Sequence, residues 1–440
     1  MDDKKYIWHP FTQMKDYLKE NPLIIEKGKG IYLFDQYGRK YIDGVSSLWV
    51  NVHGHRKKEI DSAIKKQLNK IAHTTLLGPT NVPAILLAKE LIKIAPKGLK
   101  KVFYSDNGST AVEIALKMAF QYWKHKGFKN KNKFVYFSSS YHGDTIGSVS
   151  VGGIDTFHKI FYPLLFNSYK AEYPYCYRCK KGKYPKCGIK CIKNLENIIQ
   201  KYHKDICAVI IEPLIQGAAG MITSPPEFLF KVKELIKKYN ILLIADEVAT
   251  GFGRTGEMFA CGRINLRPDI MCLAKGITGG YLPLAVTLTT NEIFDAFLAD
   301  YKELKTFFHG HTYTGNPLAA SAALENVKLF KKEKTIKKLK PKINLLTNLL
   351  KNFSGLKHAG DTRQCGFMAG IELVKDKNTK KEYLLKDKIG IKVCLKARDH
   401  GILIRPLGNV IVIMPPLSIS VNELKKLMKI IYISIKEITE

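Results

Sequence analysis

The sequence predicts an α/β protein built on a mostly parallel sheet with helices on both faces, together with a smaller α+β domain. Between about residues 56 and 325, short apolar runs alternate with amphipathic helical segments, which is typical of parallel strands joined by crossover helices. After residue 325 the sequence becomes Lys-rich and helical before further strands follow, and the first 55 residues contain hairpin-like material. We therefore predict a large domain over 56–325 and a small domain assembled from 1–55 and 326–440.

Apolar runs of strand length place the individual elements. From Ser109 onward, apolar residues recur with the period of an amphipathic helix, directly after the first predicted strand. Tyr37 and Gly38 predict the turn of an N-terminal hairpin, and a closing helix begins at Val421. The predicted strands of the large domain are 102–105, 134–137, 208–212, 241–246, 270–274 and 284–288, and those of the small domain include 367–373 and 410–414.

Length and composition limit the classes to which the chain can belong. Its 440 residues suffice for a large core, and 45% of them are hydrophobic. There is no run of 18 apolar residues, and the chain begins with a charged segment. We therefore expect no membrane span and no secretory signal, and a cytoplasmic protein. Nine cysteines, an odd number, argue against a disulfide framework.

The formal net charge of +32 raises a rival class, a nucleic-acid-binding protein, because clustered Lys and Arg neutralise phosphates. The basic residues are scattered instead, with only short runs such as those within 331–340, and no nucleic-acid-binding motif accompanies them. We therefore expect no nucleic-acid partner, and interpret the charge as solvated surface that mildly attracts anions.

One lysine stands apart from the others because of its position. Lys275 directly follows the apolar run 270–274 and precedes a glycine cluster, where backbone can approach a ligand closely. A second apolar run ends at Asp246, 29 residues earlier. Taken singly, such a lysine is usually a solvated charge, and such an aspartate also suits a helix cap. Together, an imine-forming amine and an anion that keeps a pyridine nitrogen protonated are what pyridoxal phosphate needs.

A third part of this site lies at the strand-to-helix junction SDNGSTAVEIA. Gly108 and Ser109 open a helix there, and the free amides and positive dipole end of a helix suit a phosphate. A serine in this place also serves as a plain N-cap. An anion-binding junction, an aspartate and a lysine, in this chain order, together predict a pyridoxal-phosphate site.

Six segments resemble the class III pyridoxal-phosphate aminotransferases of fold type I. They are SDNGSTAVEIALKMAFQYW, YHGDTIG, DEVATGFGRTG, CLAKGITGGYLPLA, HGHTYTGNPLA and IRPLGNVIVIMPP. The segments IWHPFTQM and GVSSLWVNVHGH, with the C-terminal IRP, narrow the resemblance to the biotin-pathway aminotransferases that convert 8-amino-7-oxononanoate to 7,8-diaminononanoate. The resemblance runs nearly end to end and implies a large domain with a seven-stranded, mostly parallel sheet.

The resemblance assigns roles to residues of these motifs. Lys275 would bind the cofactor through its amine and shuttle a proton, Asp246 would pair with the pyridinium nitrogen, and Tyr141 would stack on the ring. A homodimer with shared active sites is implied, because one phosphate contact would come from a second copy of the chain. The other implied cofactor-binding residues are Gly108, Ser109, Val248 and, from that second copy, Thr312.

The same resemblance implies how the substrate is held. Arg405 would bind the carboxylate of the keto acid in a bidentate manner, and Arg254, near the same entrance, ranks second. An arginine after an apolar run also suits a plain surface edge. The remaining implied substrate contacts are Trp49, Tyr141, Lys275 and the backbone of Gly310.

The amino donor stays open between S-adenosylmethionine and L-lysine. Members that use adenosylmethionine typically carry a tyrosine after His-Pro, a Trp-Trp pair after Ser-Ser and a proline in HGPT. This chain has Phe11, Leu48 before Trp49, and His311 at those positions, which a lysine-using branch shares. Another class III activity, on ornithine, acetylornithine or 4-aminobutyrate, would share the cofactor motifs but not HPFTQM, GVSSLW or Arg405.

A cysteine-rich insertion lies outside the catalytic motifs. Its spacing, C-x2-C-x7-C-x3-C within PYCYRCKKGKYPKCGIKC, fits either a tetrahedral zinc site or four independent loop thiols. We assign no metal to the protein on this pattern, and the two interpretations stay open. The four residues are Cys176, Cys179, Cys187 and Cys191.

Overall fold

The N-terminal part of the chain forms short helices and an antiparallel meander. The computed structural model describes residues 2–440. Strands β2 and β3 pair antiparallel across a turn at Gly38, which has a φ of +79°, so the predicted hairpin is confirmed. The elements are α1 (Asp2–Tyr6), α2 (Met14–Tyr17), β1 (Ile25–Lys29), β2 (Tyr32–Asp35), β3 (Lys40–Asp43) and the short turn of helix α3 (Ser46–Trp49).

A seven-stranded sheet forms the centre of the large domain. Its order is β4-β12-β11-β10-β7-β5-β6, and all neighbours run parallel except β12, which is antiparallel to β11 and β4. The short strands β8 and β9 form a separate hairpin. The strands are β4 (Leu99–Ser105), β5 (Lys133–Phe137), β6 (Tyr169–Ala171), β7 (Ile206–Ile211), β8 (Ile215–Gln216), β9 (Ile222–Thr223), β10 (Leu242–Asp246), β11 (Ile270–Leu273) and β12 (Ala285–Thr290).

Helices cover both faces of this sheet, which explains why its central strands β7, β10 and β11 are buried along their whole length. Successive residues of β10 face opposite sides: Ile244 packs in the core that contains the buried face of helix α6, whereas Leu243 and Ala245 belong to the core on the other face. The helices of this part are α4 (Lys58–Leu68), α5 (Val82–Ile94), α6 (Gly108–His125), α7 (Ile146–Ser150), α8 (Asp155–His158), α9 (Ile192–Tyr202), α10 (Pro226–Lys238), α11 (Ala260–Arg263), α12 (Asn291–Asp295) and α13 (Pro317–Lys332).

The six predicted strands of the large domain are all present, and their ends either coincide with the prediction or differ from it by at most three residues. The prediction did not include β6, a three-residue strand at the edge of the sheet in which only Ala171 is buried. A strand this short and this exposed carries no apolar period that sequence reasoning can detect.

The C-terminal part adds a second sheet and joins the N-terminal meander. Strand β16 pairs parallel with β3, so the two chain ends share one four-stranded sheet, as a small domain built from both termini requires. The domain boundaries at 55 and 325 stay predictions. The elements are α14 (Thr335–Lys351), β13 (Ala359–Cys365), β14 (Met368–Asp376), β15 (Lys381–Glu382), α15 (Ile389–Asp399), β16 (Ile402–Leu403), β17 (Pro406–Leu407), β18 (Val410–Ile413) and α16 (Val421–Thr439).

The Lys-rich region after residue 325 differs from the single long helix that was predicted. Helix α13 ends at Lys332 and α14 begins at Thr335, because Lys334 between them takes a left-handed conformation with a φ of +53°. The closing helix does begin at Val421, where Ser420 and Glu423 form a capping box. Within residues 2–440, no helix combines the length and the apolar character that a membrane crossing needs.

One buried lysine ties the amino-terminal ends of the central strands to neighbouring loops. The side chain of Lys131 is enclosed next to the ring of Trp123, 4.3 Å from its centre. Its Nζ donates to the carbonyl oxygens of Ile206 at 3.0 Å, Asn240 at 2.8 Å and His203 at 3.4 Å. Burial lowers the pKa of Lys131 to about 8.

Replacement of this lysine should lower the stability of the large domain. Lys131→Met keeps the apolar stem but leaves three carbonyl groups without their donor, so we expect the free energy of unfolding to fall by about 3 kcal/mol. Urea unfolding measures the change. Lys129→Met, at an exposed position nearby, is the matched control. An equal effect of the two substitutions would contradict this role for Lys131.

Candidate active site

Parallel pairing brings the two central side chains of the site to one edge of the sheet. Strand β10 ends at Asp246, which pairs in register with Cys272 of β11, and Lys275 follows the end of β11 by two residues. A cavity of about 560 Å³ opens at this edge. Predicted site residues that line it are Trp49, Gly108, Ser109, Tyr141, Asp246, Val248 and Lys275.

Asp246 is buried, and both of its carboxylate oxygens accept hydrogen bonds. Oδ1 accepts from the backbone amide of Val248 at 3.0 Å, and Oδ2 accepts from Nδ1 of His142 at 2.7 Å. His142 is itself buried, and its Nε2 has no hydrogen-bond partner among residues 2–440. These bonds hold the carboxylate in one orientation in an apolar surrounding, where an unpaired charge would be costly.

Lys275 presents an amine that is easily deprotonated. Its Nζ lies 4.7 Å from the ring centre of Trp49. Desolvation holds the pKa of Lys275 below its ordinary value, and the nearby carboxylates of Asp246 and Glu212 oppose that shift. A lysine that loses its proton readily can act both as a nucleophile and as a base.

The start of helix α6 provides a cradle for an anion. Asn107 caps this 18-residue helix in a capping box with Thr110, and Gly108 and Ser109 follow at its first turn, beside the cavity. A Cβ on Gly108 would lie 2.7 Å from Cγ1 of Val248, so only glycine lets the helix end approach the opposite wall this closely. Ser109 Oγ accepts from the amide of Asp144 at 2.9 Å.

Tyr141 belongs to an aromatic wall of the cavity. Its hydroxyl donates to Asp144 at 2.7 Å, and its ring packs edge-on against Phe157 with centres 6.2 Å apart. Burial, with a smaller contribution from Asp144, raises the pKa of Tyr141. The phenol is therefore protonated at neutral pH and acts as a hydrogen-bond donor.

Sequence reasoning did not identify two residues of the site, Glu212 and His142. Glu212 is buried, and its carboxylate accepts from the amides of Tyr141 at 3.1 Å and Gly217 at 3.0 Å. Burial raises the pKa of Glu212 to about 7. A signal for Glu212 was present, since it follows an apolar run in the same way as Asp246. His142 gives no such signal, because its partner lies 104 residues further along the chain.

Four residues with predicted substrate or cofactor contacts do not line the cavity. Gly310 and Thr312 lie on an exposed loop, and Arg405 is exposed between β16 and β17. Arg254 is 1% exposed, and its guanidinium donates to the carbonyl oxygens of Pro415 at 2.7 Å and Asn51 at 2.9 Å. These bonds anchor the Arg254 guanidinium to two loops, and a contact of Arg254 with substrate stays a prediction.

The three positions that leave the amino donor open lie at different distances from the cavity. Leu48 lines it directly. The ring of Phe11 contacts Phe157, with centres 5.4 Å apart, and so joins the aromatic wall. His311 Nδ1 lies 3.4 Å from a carboxylate oxygen of Asp106, next to the start of α6.

The cysteine-rich insertion lies away from this site. Cys176, Cys179, Cys187 and Cys191 line one cavity of about 300 Å³, and all four are free thiols. Among residues 2–440, no group of three or more His, Cys, Asp or Glu side chains is placed to hold a metal ion. The choice between zinc and independent thiols therefore rests on metal analysis of the purified protein.

A partly buried amine, a hydrogen-bonded buried carboxylate and an anion cradle around one cavity define the site of a pyridoxal-phosphate enzyme. The residues fit the group: the cradle of α6 suits its phosphate, Asp246 its ring nitrogen and Lys275 its aldehyde. The chain belongs to the class III aminotransferases, since the family model described as Aminotransferase class-III matches residues 14–435. Pyridoxal phosphate is the cofactor of this family.

Individual relatives agree with this assignment. Adenosylmethionine-8-amino-7-oxononanoate aminotransferases from Aquifex aeolicus and Geobacter sulfurreducens are 57% and 53% identical to the chain, over 99% of it and 96% and 97% of their own lengths. The crystal structure of the enzyme with that name from Methanocaldococcus jannaschii superposes with a TM-score of 0.95, at 50% identity over 100% of this chain and 98% of that one. An omega transaminase from Pseudomonas jessenii reaches the same TM-score at 31% identity, over 100% of this chain and 97% of its own.

The raised pKa of Glu212 predicts a pH dependence of stability. The pKa of Glu212 is about 7 in the folded protein, and its ordinary value is 4.5. The proton on Glu212 therefore contributes fully to stability below pH 4.5, and this contribution is lost as the pH rises through about 7. Glu212→Gln removes this titration. We expect the stability of the variant relative to wild type to rise by roughly 3 kcal/mol between about pH 4.5 and pH 8.

Urea unfolding of the cofactor-free protein across this pH range measures the effect, with the exposed Glu234→Gln as control. A difference between variant and wild type that stays constant with pH would mean that Glu212 titrates normally.

Proposed function

We propose that the protein transfers an amino group to 8-amino-7-oxononanoate and forms 7,8-diaminononanoate, a step of biotin biosynthesis. The observation that carries this proposal is the cavity at the carboxyl edge of the sheet, where Lys275 and Asp246 meet the start of α6. The names of relatives with 50% or more identity over nearly the whole chain support the choice of substrate. The cytoplasm is the proposed location.

The residues of the site divide the chemical work. When bound, pyridoxal phosphate supplies an aldehyde that receives the amino group from the donor and gives it up to the acceptor ketone. Lys275 would hold the cofactor and then move the proton between the substrate carbon and the cofactor, for which its lowered pKa suits it. Asp246, fixed by His142, would keep the proton on the ring nitrogen. Gly108 and Ser109 would bind the phosphate.

Arg405 is the proposed partner of the carboxylate of the keto acid. Its side chain is exposed and forms no ion pair with any of residues 2–440. A guanidinium without a partner is available for a bidentate bond to a carboxylate. Arg254 ranks behind Arg405, because its side chain is 1% exposed and its Nη1 and Nη2 already donate to backbone carbonyl groups.

S-adenosylmethionine is the proposed donor, after the names of the relatives, and L-lysine is the alternative. Trp49 and Tyr141 give the cavity aromatic faces for a sulfonium and an adenine. Phe11 and Leu48, in contrast, lack the hydroxyl and the indole that adenosylmethionine-using members typically carry at these positions.

A half-reaction assay tests both the reaction and the donor. The purified holoenzyme is mixed with adenosylmethionine alone and with L-lysine alone while the visible absorption of the cofactor is recorded. We expect adenosylmethionine to convert the spectrum to that of the amine form of the cofactor, and 8-amino-7-oxononanoate to restore it. Conversion by L-lysine, with no conversion by adenosylmethionine, would make L-lysine the donor.

Ornithine, acetylornithine and 4-aminobutyrate serve as comparison donors. They represent the second candidate function, which the equal TM-score of the omega transaminase keeps in consideration. Conversion by one of them, with no response to adenosylmethionine or lysine, would replace the proposed reaction by an ω-amino acid transamination.

We also propose that the active unit is a homodimer in which Thr312 and Gly310 complete the site of a second copy. Thr312 lies on a loop whose apolar side chains Phe308 and Tyr313 are 71% and 58% exposed. Leu77, Val82 and other apolar residues of and before α5 are also exposed, which is typical of surface that a partner covers.

Hybrid dimers test this sharing. Chains with Lys275→Ala and chains with Thr312→Ala are mixed and allowed to exchange, and activity is assayed at limiting cofactor. If each site takes Lys275 from one chain and Thr312 from the other, half of the sites in each hybrid are intact, so the mixture should regain roughly a quarter of wild-type activity. No activity beyond the mean of the two separate variants would contradict a shared site.

A further inference from the structure

A buried ion cluster connects the cysteine-rich insertion to the small domain. Residues 174–191 form this insertion, and two of its side chains reach strand β14. The Tyr175 hydroxyl and the Arg178 guanidinium both donate to Glu372, and Arg178 Nε does so at 2.7 Å. Glu372 is 4% exposed. Burial alone would raise the pKa of Glu372, but Arg363, Tyr175 and Arg178 outweigh burial and hold it below its ordinary value.

Arg363 on β13 is the second centre of this cluster. Its Nη1 donates to Glu372 at 2.6 Å and to Asp361 at 2.8 Å, and its guanidinium lies 5.3 Å from the ring centre of Tyr175. On the other side, its Nε donates to the carbonyl oxygen of Gly220 at 2.8 Å. The arginine therefore joins the carboxylates of the small domain to a turn of the large domain.

The turn 217–220 belongs to the wall of the catalytic cavity. Gly217 donates its amide to Glu212 at 3.0 Å, and Ala218 lines the cavity. A Cβ on Gly217 would lie 3.2 Å from the Trp49 ring, so the turn packs directly on that indole. At the other end of the turn, Gly220 has a φ of +101°, a conformation that needs support from its surroundings.

We propose that Arg363 is a positioning residue for the substrate: anchored by Glu372, it fixes the turn 217–220 and thereby the wall formed by Trp49, Ala218 and Glu212. This inference rests on the proposed function of the cavity. The insertion, through Tyr175 and Arg178, orients Glu372 and so stiffens the same support.

The chemistry of arginine suits this task better than that of any other side chain. A buried ion pair contributes little net stability compared with apolar packing of the same volume, so its value lies in fixing one geometry. The planar guanidinium directs Nη1 to the carboxylates and Nε to Gly220 at a set angle, whereas a lysine amine is a single point charge. Lysine at this position would keep the pairing with Glu372 and lose the bond to the turn.

Steady-state kinetics of the Arg363→Lys holoenzyme test the proposal. We expect the KM for 8-amino-7-oxononanoate to rise about tenfold, with kcat and the visible spectrum of the bound cofactor within about twofold of wild type, because only substrate positioning is affected. The matched control is Asp361→Asn, which removes a negative charge at the rim of the cluster but leaves Arg363 joined to Glu372 and Gly220. Its KM should stay within about twofold of wild type.

An unchanged KM in Arg363→Lys would overturn the proposal. A rise in KM that comes with an equal fall in kcat and weaker cofactor binding would also overturn it, because that result indicates general loosening of the fold. If that variant is recovered unfolded, Glu372→Gln replaces it. Glutamine keeps the volume and one acceptor oxygen, so a rise in KM alone supports the proposal and an unchanged KM overturns it.

Wild-type turnover is measured first. If wild type does not use this keto acid, the proposed function fails, and the variants are compared on the acceptor that wild type does use.

Discussion

The parallel pairing of β10 and β11 is the constraint on which the rest of the site depends. It places Asp246 and Lys275 at one edge of the sheet, where both are withdrawn from water. A carboxylate in such a place must be hydrogen bonded, and the amide of Val248 and the imidazole of His142 meet this need. The partly buried amine in turn has a lowered pKa, which the neighbouring carboxylates limit but do not reverse. The reactivity of the amine thus arises from the same desolvation that makes hydrogen bonds to the carboxylate necessary.

The surrounding loops are shaped by close approach rather than by apolar packing alone. Gly108 lets the start of α6 come within contact distance of Val248, and Gly217 lets the neighbouring turn lie against Trp49. Glu212 ties that turn to the backbone of Tyr141, so the aromatic wall and the turn share one buried carboxylate. The arrangement leaves a cavity of about 560 Å³ between fixed polar groups. Backbone geometry therefore sets the walls of the cavity. The small domain contacts one of these walls through the hydrogen bond from Arg363 to Gly220.

The features of the site that the sequence predicts follow from a single rule, that polar residues directly after buried strands meet at one edge of a sheet. That rule found Asp246, Lys275 and the junction at Gly108, and the alternation of apolar runs found the sheet itself. It did not reach His142, whose role depends on a contact between distant loops, nor the break at Lys334, which a left-handed residue causes. The burial of Arg254 was not predictable either: arginines are seldom buried, yet this one is enclosed and donates to the carbonyl groups of Pro415 and Asn51. Contacts of this kind are properties of the tertiary structure and leave no periodic trace in the chain.

Among the many lysines of a chain with a net charge of +32, we propose Lys275 as the one that binds the cofactor. Reduction of the holoenzyme with sodium borohydride fixes a bond between a lysine and pyridoxal phosphate as a stable secondary amine, and peptide mass spectrometry locates it. We expect a single modified peptide that carries the reduced cofactor on Lys275, and no such label in the Lys275→Ala variant. A label on another lysine, or a label of equal yield in the variant, would contradict it.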